Sequence, residues 1–414
     1  MQDSNASSLT LIPEAQSPSR ESEAMVLPGW PHFASDEIAV AAKVLSSGRV
    51  NYWTGDEGRA FEKEFAAYLG CRYAVALANG TVAIELALRA LEIGAGDEVI
   101  VPSRTFFATA SAVVAVGARP VFADVDRNSQ TVSAETLRAA MTPQTRAFIV
   151  VHLAGWPCDM PPILRLAADH GIRVIEDCAQ AHGAALEGKK AGTFGDVAAF
   201  SFCQDKIMTT AGEGGMVVTD SRSLWDRMWA YKDHGKSYAA VYERAHAPGF
   251  RWLHESFGTN WRLSEVQSAV GRRQLSKLPA WLAQRRHNAS TMLGRFRQLK
   301  GLRVPIPGHG IEHAFYKVYV FVEAEHLARD WSRDRIAAEL QRAGVPCQTG
   351  SCSEVYLEAA FPTEWRPQQR LPVAKELGDT SLMFQVHPTL LDEHVDWMCR
   401  VVERVMLQAV DGDS

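Results

Sequence analysis

The sequence predicts an α/β fold in two parts: a large domain on a mostly parallel sheet, then a smaller C-terminal domain. Three observations predict it. From Tyr73 to Asp220, short apolar runs alternate with helix-like stretches, the pattern of a parallel sheet covered by helices on both faces. After Gln274 the character changes to a long, Arg-rich helical stretch. The length of 414 residues exceeds one simple core and suits a large domain of about 250 residues with a smaller companion.

The strands follow from short β-branched or aromatic runs at Tyr73–Leu77, Glu98–Val101, Pro120–Val125, Ala147–His152, Arg173–Glu176, Val197–Phe202 and Met216–Thr219. Between them, Val82–Leu91, Thr136–Met141 and Pro162–Asp169 read as helices, most with a polar or glycine boundary. Further on, helices are expected at Val266–Leu275, Trp281–Leu299, Arg333–Ala343 and Leu391–Gln408, with a strand at Tyr316–Val322. Residues 1–24 are expected to be a flexible tail, 25–275 the large domain and 276–414 the small one. The Pro-rich patches Pro305–Pro307 and Phe361–Pro367 read as loops, and no internal repeat is evident.

Composition excludes several classes. A hydrophobic content of 47% with 22% charged residues is that of an ordinary globular protein. The formal net charge of -5 leaves no basic excess to displace counterions, so a nucleic-acid partner is not expected. Seven scattered cysteines with no CxxC pair point to reduced thiols in the cytoplasm rather than disulfides or a metal site. The first residues lack a signal peptide's basic and apolar regions, and the apolar tract around Ala108 to Ala118 is far too short for a bilayer.

In an α/β sheet ligands collect at the carboxyl ends of the strands, so polar residues just beyond an apolar run are the candidates. Four places qualify. Asn79-Gly80-Thr81 opens a helix where free N–H groups and the dipole can hold a phosphate, or it is simply an N-cap. Arg173-Val-Ile-Glu-Asp177 ends a buried strand in two acids; such an acid can pair with a protonated ring nitrogen, as pyridoxal phosphate needs, or form a loop salt bridge. Phe200-Ser-Phe-Cys-Gln-Asp-Lys206 places a lysine past a strand and ahead of Gly212-Glu213-Gly214-Gly215, where partial desolvation can make its amine nucleophilic. Gly258-Thr-Asn260-Trp-Arg262 precedes an apolar helix and offers an anion site or an ordinary helix entry.

Taken in order, NGT, GDEVIVPSRTFFAT, VHLAG, EDCAQAHGA, FSFCQDK with GEGG, and GTNWRLSEVQSAVGRRQL resemble the DegT/DnrJ/EryC1/StrS sugar aminotransferases, over about Gly29 to His387. The resemblance implies the aspartate-aminotransferase-like fold, with a seven-stranded large domain and a small α+β C-terminal domain. It implies pyridoxal 5'-phosphate as cofactor, held by Lys206 as an imine, with Lys206 also the proton shuttle. By the same resemblance Asp177 pairs with the pyridine nitrogen, Gln180 with the ring hydroxyl, and Ala179 and Phe106 flank the ring. Gly80, Thr81 and Ser201 match phosphate-binding groups, and Asn260 a phosphate ligand supplied by the neighbouring subunit, which implies a homodimer with shared sites. The expected reaction moves an amino group from L-glutamate to the keto group of a nucleotide-linked deoxysugar, toward an amino sugar for a surface polysaccharide or glycosylated metabolite.

Alternatives stand beside that reading. A free cyclitol ketone is the other acceptor. A nicotinamide-dependent sugar oxidoreductase would show GxGxxG after the first strand, which Asn79-Gly80-Thr81 is not. Sugar dehydratases of this fold carry histidine in place of lysine, and Lys206 argues against them. A regulator that only binds the cofactor would not need the full catalytic set. Trp156-Pro157-Cys158 and Ser351-Cys352-Ser353 either shape substrate choice or pack, and His152 and His182 are expected to be satisfied structural histidines.

Overall fold

The computed structural model describes residues 25–410, so the tail expected at 1–24 lies outside the described residues. Two helices come first, α1 (Ser35–Ser47) and α2 (Glu57–Leu69). Each stops at a glycine in the left-handed region, Gly48 at φ 68° and Gly70 at φ 86°. There follow β1 (Tyr73–Leu77), α3 (Gly80–Ala90), β2 (Glu98–Pro102), α4 (Phe107–Ala115), β3 (Arg119–Ala123), α5 (Ala134–Ala140), β4 (Thr145–Val151), α6 (Met160–His170) and β5 (Arg173–Asp177). A hairpin of β6 (Ala185–Leu186) and β7 (Lys189–Lys190) precedes β8 (Val197–Ser201), β9 (Gly215–Thr219) and α7 (Arg222–Lys232). The remainder is α8 (Glu265–Phe296), β10 (Leu302–Arg303), β11 (Ile311–Glu312), β12 (Val318–Val322), α9 (Arg333–Arg342), β13 (Cys347–Gln348), α10 (Pro372–Thr380), β14 (Ser381–Phe384) and α11 (Asp392–Ala409).

All seven expected strands enter one sheet, in the order β1-β9-β8-β5-β4-β2-β3. Only β9 runs antiparallel to its neighbours, so the carboxyl ends of the other six share one edge. Alternate residues feed opposite faces: Val99, Val101, Ile149 and Ile175 enter one core, while Ile100, Phe148, Val150 and Val174 enter another. Burial on both faces is why these strands read as continuous apolar runs.

The expected helices Val266–Leu275 and Trp281–Leu299 are a single helix, α8, which passes through Pro279 without a break. A proline there removes one backbone hydrogen bond, yet Leu275, Leu278 and Leu282 continue one apolar stripe against Phe61, Phe65 and Phe200. That packing outweighs the local penalty. Farther along, Ala289, Met292 and Phe296 join the core that holds Val318, Val320 and Phe384. Residue 275, the expected domain division, thus falls inside a helix that serves both cores. A four-stranded sheet, β10-β12-β14-β13, backs the second core, and β11-β6-β7 makes a small third sheet. Among the described residues no helix is long and apolar enough to cross a membrane.

Candidate active site

A cavity of about 780 Å³ opens at the shared carboxyl edge of the strands, closed on one side by the segment from Gln348 to Cys352. Gly80, Thr81, Phe106, Asp177, Ala179, Gln180, Ser201 and Lys206 all line it. Another depression, of about 760 Å³, lies at the opposite edge among Arg72, Arg173 and Arg222. Its arginines are already paired with Asp220, Asp196 and Asp226, so it offers no free charge.

Asp177 ends β5 with its carboxylate almost fully buried. It accepts hydrogen bonds from the Thr109 hydroxyl at 2.9 Å and the Ala179 N–H at 3.1 Å. Burial pushes this carboxyl above the ordinary carboxylate range, against the pull of those two donors and of the Lys206 charge. A buried acid in this state favours a cationic partner. Its neighbour Glu176 faces away from the cavity, where it accepts from the N–H groups of Gly192, Phe194 and Gly195 at 2.8, 2.7 and 2.7 Å. Of the two strand-end acids, only Asp177 is placed for chemistry.

His152 belongs to that same structural network. The Cys158 N–H donates to its Nδ1 at 3.0 Å, which leaves the proton on Nε2 to bond Glu176 at 2.9 Å. Both ring nitrogens are therefore satisfied. His152, Glu176 and Cys178 lie close enough together for a metal, but the ligand atoms of the first two are engaged in these bonds. His182 differs from expectation, because neither ring nitrogen has a hydrogen-bond partner among the described residues. It packs instead against Phe200 and Phe202, and burial, reinforced by Lys206 and Arg285, lowers its pKa to about 3.

The Asn79-Gly80-Thr81 turn meets both readings of its sequence. The Asn79 side chain caps α3 by accepting from the Val82 N–H at 3.0 Å, and the N–H groups of Gly80 and Thr81 fall in the helix's unpaired first turn. The helix start presses on the end of β8: a Cβ on Gly80 would stand 2.5 Å from Ser201 Cβ. That approach groups the N–H donors with the Ser201 hydroxyl, as an anion site requires. On the other side, Gln180 Oε1 accepts from the Ala154 N–H at 2.7 Å, which leaves its amide N–H₂ for the cavity.

Lys206 follows β8 with its ammonium 3.8 Å from Asp205 and 5.0 Å from the centre of the Tyr316 ring. The Tyr316 hydroxyl in turn hydrogen-bonds Asp205. Thr109 and Asp205 lie inside quoted motifs but were given no role there, and Tyr316 and Lys317 are site residues that no motif in the sequence announced. Tyr316 and Lys317 sit where an apolar strand begins, and that position was their only signal. Ser351 and Cys352 line the cavity, whereas Trp156, Pro157 and Cys158 do not.

Asn260 is not brought to this cavity. It is exposed and bridges by its backbone to Asp233, whose buried carboxylate takes Arg262 at 2.7 Å. Before it, the chain displays Phe250, Trp252 and Phe257 at 78%, 81% and 99% exposure, a set of apolar rings with no cover in one chain.

A strand-end lysine and a buried acid sharing a cavity, on a seven-stranded sheet of this topology, define an aminotransferase with the aspartate-aminotransferase-like fold. The chain belongs to the DegT/DnrJ/EryC1/StrS aminotransferase family, whose model matches residues 31–405. It is 37% identical over 378 residues to the UDP-N-acetyl-3-dehydro-alpha-D-glucosamine 3-aminotransferase of Acidithiobacillus ferrooxidans, covering 91% of this chain and 96% of that one. It is 36% identical over 361 residues to the dTDP-3-amino-3,4,6-trideoxy-alpha-D-glucose transaminase of Streptomyces venezuelae, covering 87% and 89%. The solved structure of an aminotransferase from Psychrobacter cryohalolentis superposes with a TM-score of 0.91 at 53% identity, covering 92% of this chain and 99% of that one.

Proposed function

We propose that this protein transfers the amino group of L-glutamate to the keto group of a nucleotide-linked sugar. The observation that carries the reading is the meeting of Lys206, Asp177 and the α3 N-terminus in one cavity. The names of the two relatives above support a sugar acceptor with its keto group at carbon 3.

The residues present fit pyridoxal phosphate. A buried acid without a matched cation suits the protonated ring nitrogen, and the α3 first turn with Ser201 suits the phosphate. When bound, the cofactor supplies an electron sink for the carbanion left when the substrate's proton departs. Lys206 holds the cofactor's aldehyde carbon and carries the proton at the reacting carbon. Asp177 keeps the ring nitrogen protonated, and Thr109 and the Ala179 N–H hold that carboxylate in place. Ala179 and Phe106 flank the ring, Gln180 meets its hydroxyl, and Gly80, Thr81 and Ser201 hold the phosphate. Asn260 serves the partner subunit's site in a homodimer, which its exposure and its absence from the lining of this chain's own cavity support.

The test is isotopic. Purified protein loaded with cofactor is given ¹⁵N-labelled L-glutamate and UDP-, dTDP- or GDP-linked 3-keto and 4-keto sugars. Mass spectrometry should find ¹⁵N in the sugar of one of them, with 2-oxoglutarate formed in equal amount. Absence of label from all of them would overturn the reading.

A further inference from the structure

We infer that the Lys317 ammonium anchors the amino donor's carboxylate, an inference that rests on the transamination reading above. Among the described residues lining the cavity, Lys206 and Lys317 are the only lysines or arginines. Lys206 is taken up by the cofactor in that reading. Lys317 makes no ion pair or hydrogen bond among the described residues, although it is half-buried. Other partly or wholly buried lysines among the described residues have partners: Lys277 has Asp36 and Glu37, Lys236 has Asp233, Lys232 has Glu62, and Lys190 has the Tyr68 carbonyl. A half-buried ammonium that faces a cavity without an acid of its own is a site for an anion.

Position and charge favour a carboxylate over a diphosphate. The ammonium nitrogens of Lys206 and Lys317 lie 5.0 and 4.9 Å from the centre of the one Tyr316 ring, so Lys317 borders the same part of the cavity as an amino acid reacting at Lys206. A single ammonium balances one carboxylate, whereas a diphosphate brings two or more charges. The backbone ahead of it is fixed, because the buried Arg285 donates to the Phe315 and Tyr316 carbonyls at 3.3 and 3.4 Å. Burial, with Arg285 and Lys206, lowers the Lys317 pKa to about 8 against the pull of Asp205, so the group is still mostly charged at neutral pH. Asp205 does not neutralise it outright, being shared between Lys206 and the Tyr316 hydroxyl.

The experiment compares wild type with Lys317→Met and Lys317→Arg as cofactor-loaded proteins. Isothermal titration calorimetry measures binding of glutarate, a dicarboxylate with no amine to react, and of UDP. Glutarate affinity should fall tenfold or more in Lys317→Met and less than threefold in Lys317→Arg, while UDP affinity stays within twofold. Lys317→Gln replaces the Met variant if that one loses its fold. The inference is overturned if glutarate binding is unchanged in the uncharged variant, if wild type binds no glutarate, or if UDP binding weakens instead. Should the isotope experiment fail while glutarate still depends on Lys317, the transamination reading falls and the carboxylate site stands.

Discussion

Gly80 shows how one absent methyl group builds half of the site. With a Cβ 2.5 Å from Ser201 Cβ, the start of α3 could not reach the end of β8, and the anion donors would part. Gly80→Ala should lower stability by about 1–3 kcal/mol in denaturant unfolding and weaken cofactor binding as well. A variant with unchanged stability and cofactor affinity would show that the close approach is not needed. Asp177 tests the other end of the cavity. Asp177→Asn keeps the shape and can still hydrogen-bond but removes the charge that favours a protonated ring nitrogen. The half-reaction with L-glutamate, followed by stopped-flow absorbance, should slow about 100-fold or more while the cofactor stays bound. Turnover at the wild-type rate would remove Asp177 from the mechanism. Eight of the nine residues singled out in the sequence line one cavity, because each ends a strand of the sheet or lies within a few residues of its carboxyl end. Thr109 and Asp205 were inside quoted motifs, but their roles were not legible because they depend on Asp177 and Tyr316 far away in sequence; Tyr316 and Lys317 carried no motif at all.

At the scale of elements, the seven sheet strands were legible because burial on both faces writes them as unbroken apolar runs. The two-residue strands β10, β11 and β13 are too short to show any period, and α1 and α2 were not singled out. The sequence reads as two helices with a gap at 276–280, where Pro279 lies, and only the stripe of Leu275, Leu278 and Leu282 against the sheet shows why one helix runs through. Contacts between distant elements carry a further effect. Glu265, at the start of α8, accepts from the N–H groups of Glu57 and Gly58 at 2.6 and 3.0 Å and so caps α2 from across the fold. Glu265→Ala leaves those buried donors unpaired and should lower stability by about 1–3 kcal/mol. An unfolding midpoint equal to wild type would contradict the capping role.

For the whole molecule, three buried histidines weaken the fold in acid. His182, His313 and His387 are held at about 3, in each case chiefly by burial. The unfolded chain binds protons on them from about pH 6.5 downward, while the folded chain does not until about pH 3. Stability should therefore be full above pH 6.5 and fall as pH drops toward 3, by about 1.4 kcal/mol per pH unit for each histidine. Denaturant titrations from pH 7 to 5 check this, and a flat profile would contradict it. Assembly is the second property of this scale. If Phe250, Trp252 and Phe257 cover one another across a homodimer, Phe257→Glu should give a monomer by analytical ultracentrifugation and lose activity with it. Wild-type protein that sediments as a monomer with full activity would remove the partner's Asn260 from the site. One chain's sequence could suggest that sharing only by resemblance, because nothing among the described residues covers these rings.

The central claim is that Lys206 holds the cofactor. Borohydride reduction of the yellow protein, followed by proteolysis and peptide mass spectrometry, tests it most directly. The account predicts one pyridoxyl group on the peptide containing Lys206, and no such adduct or visible band in Lys206→Ala. A pyridoxyl group mapped to another lysine, Lys317 included, would contradict it.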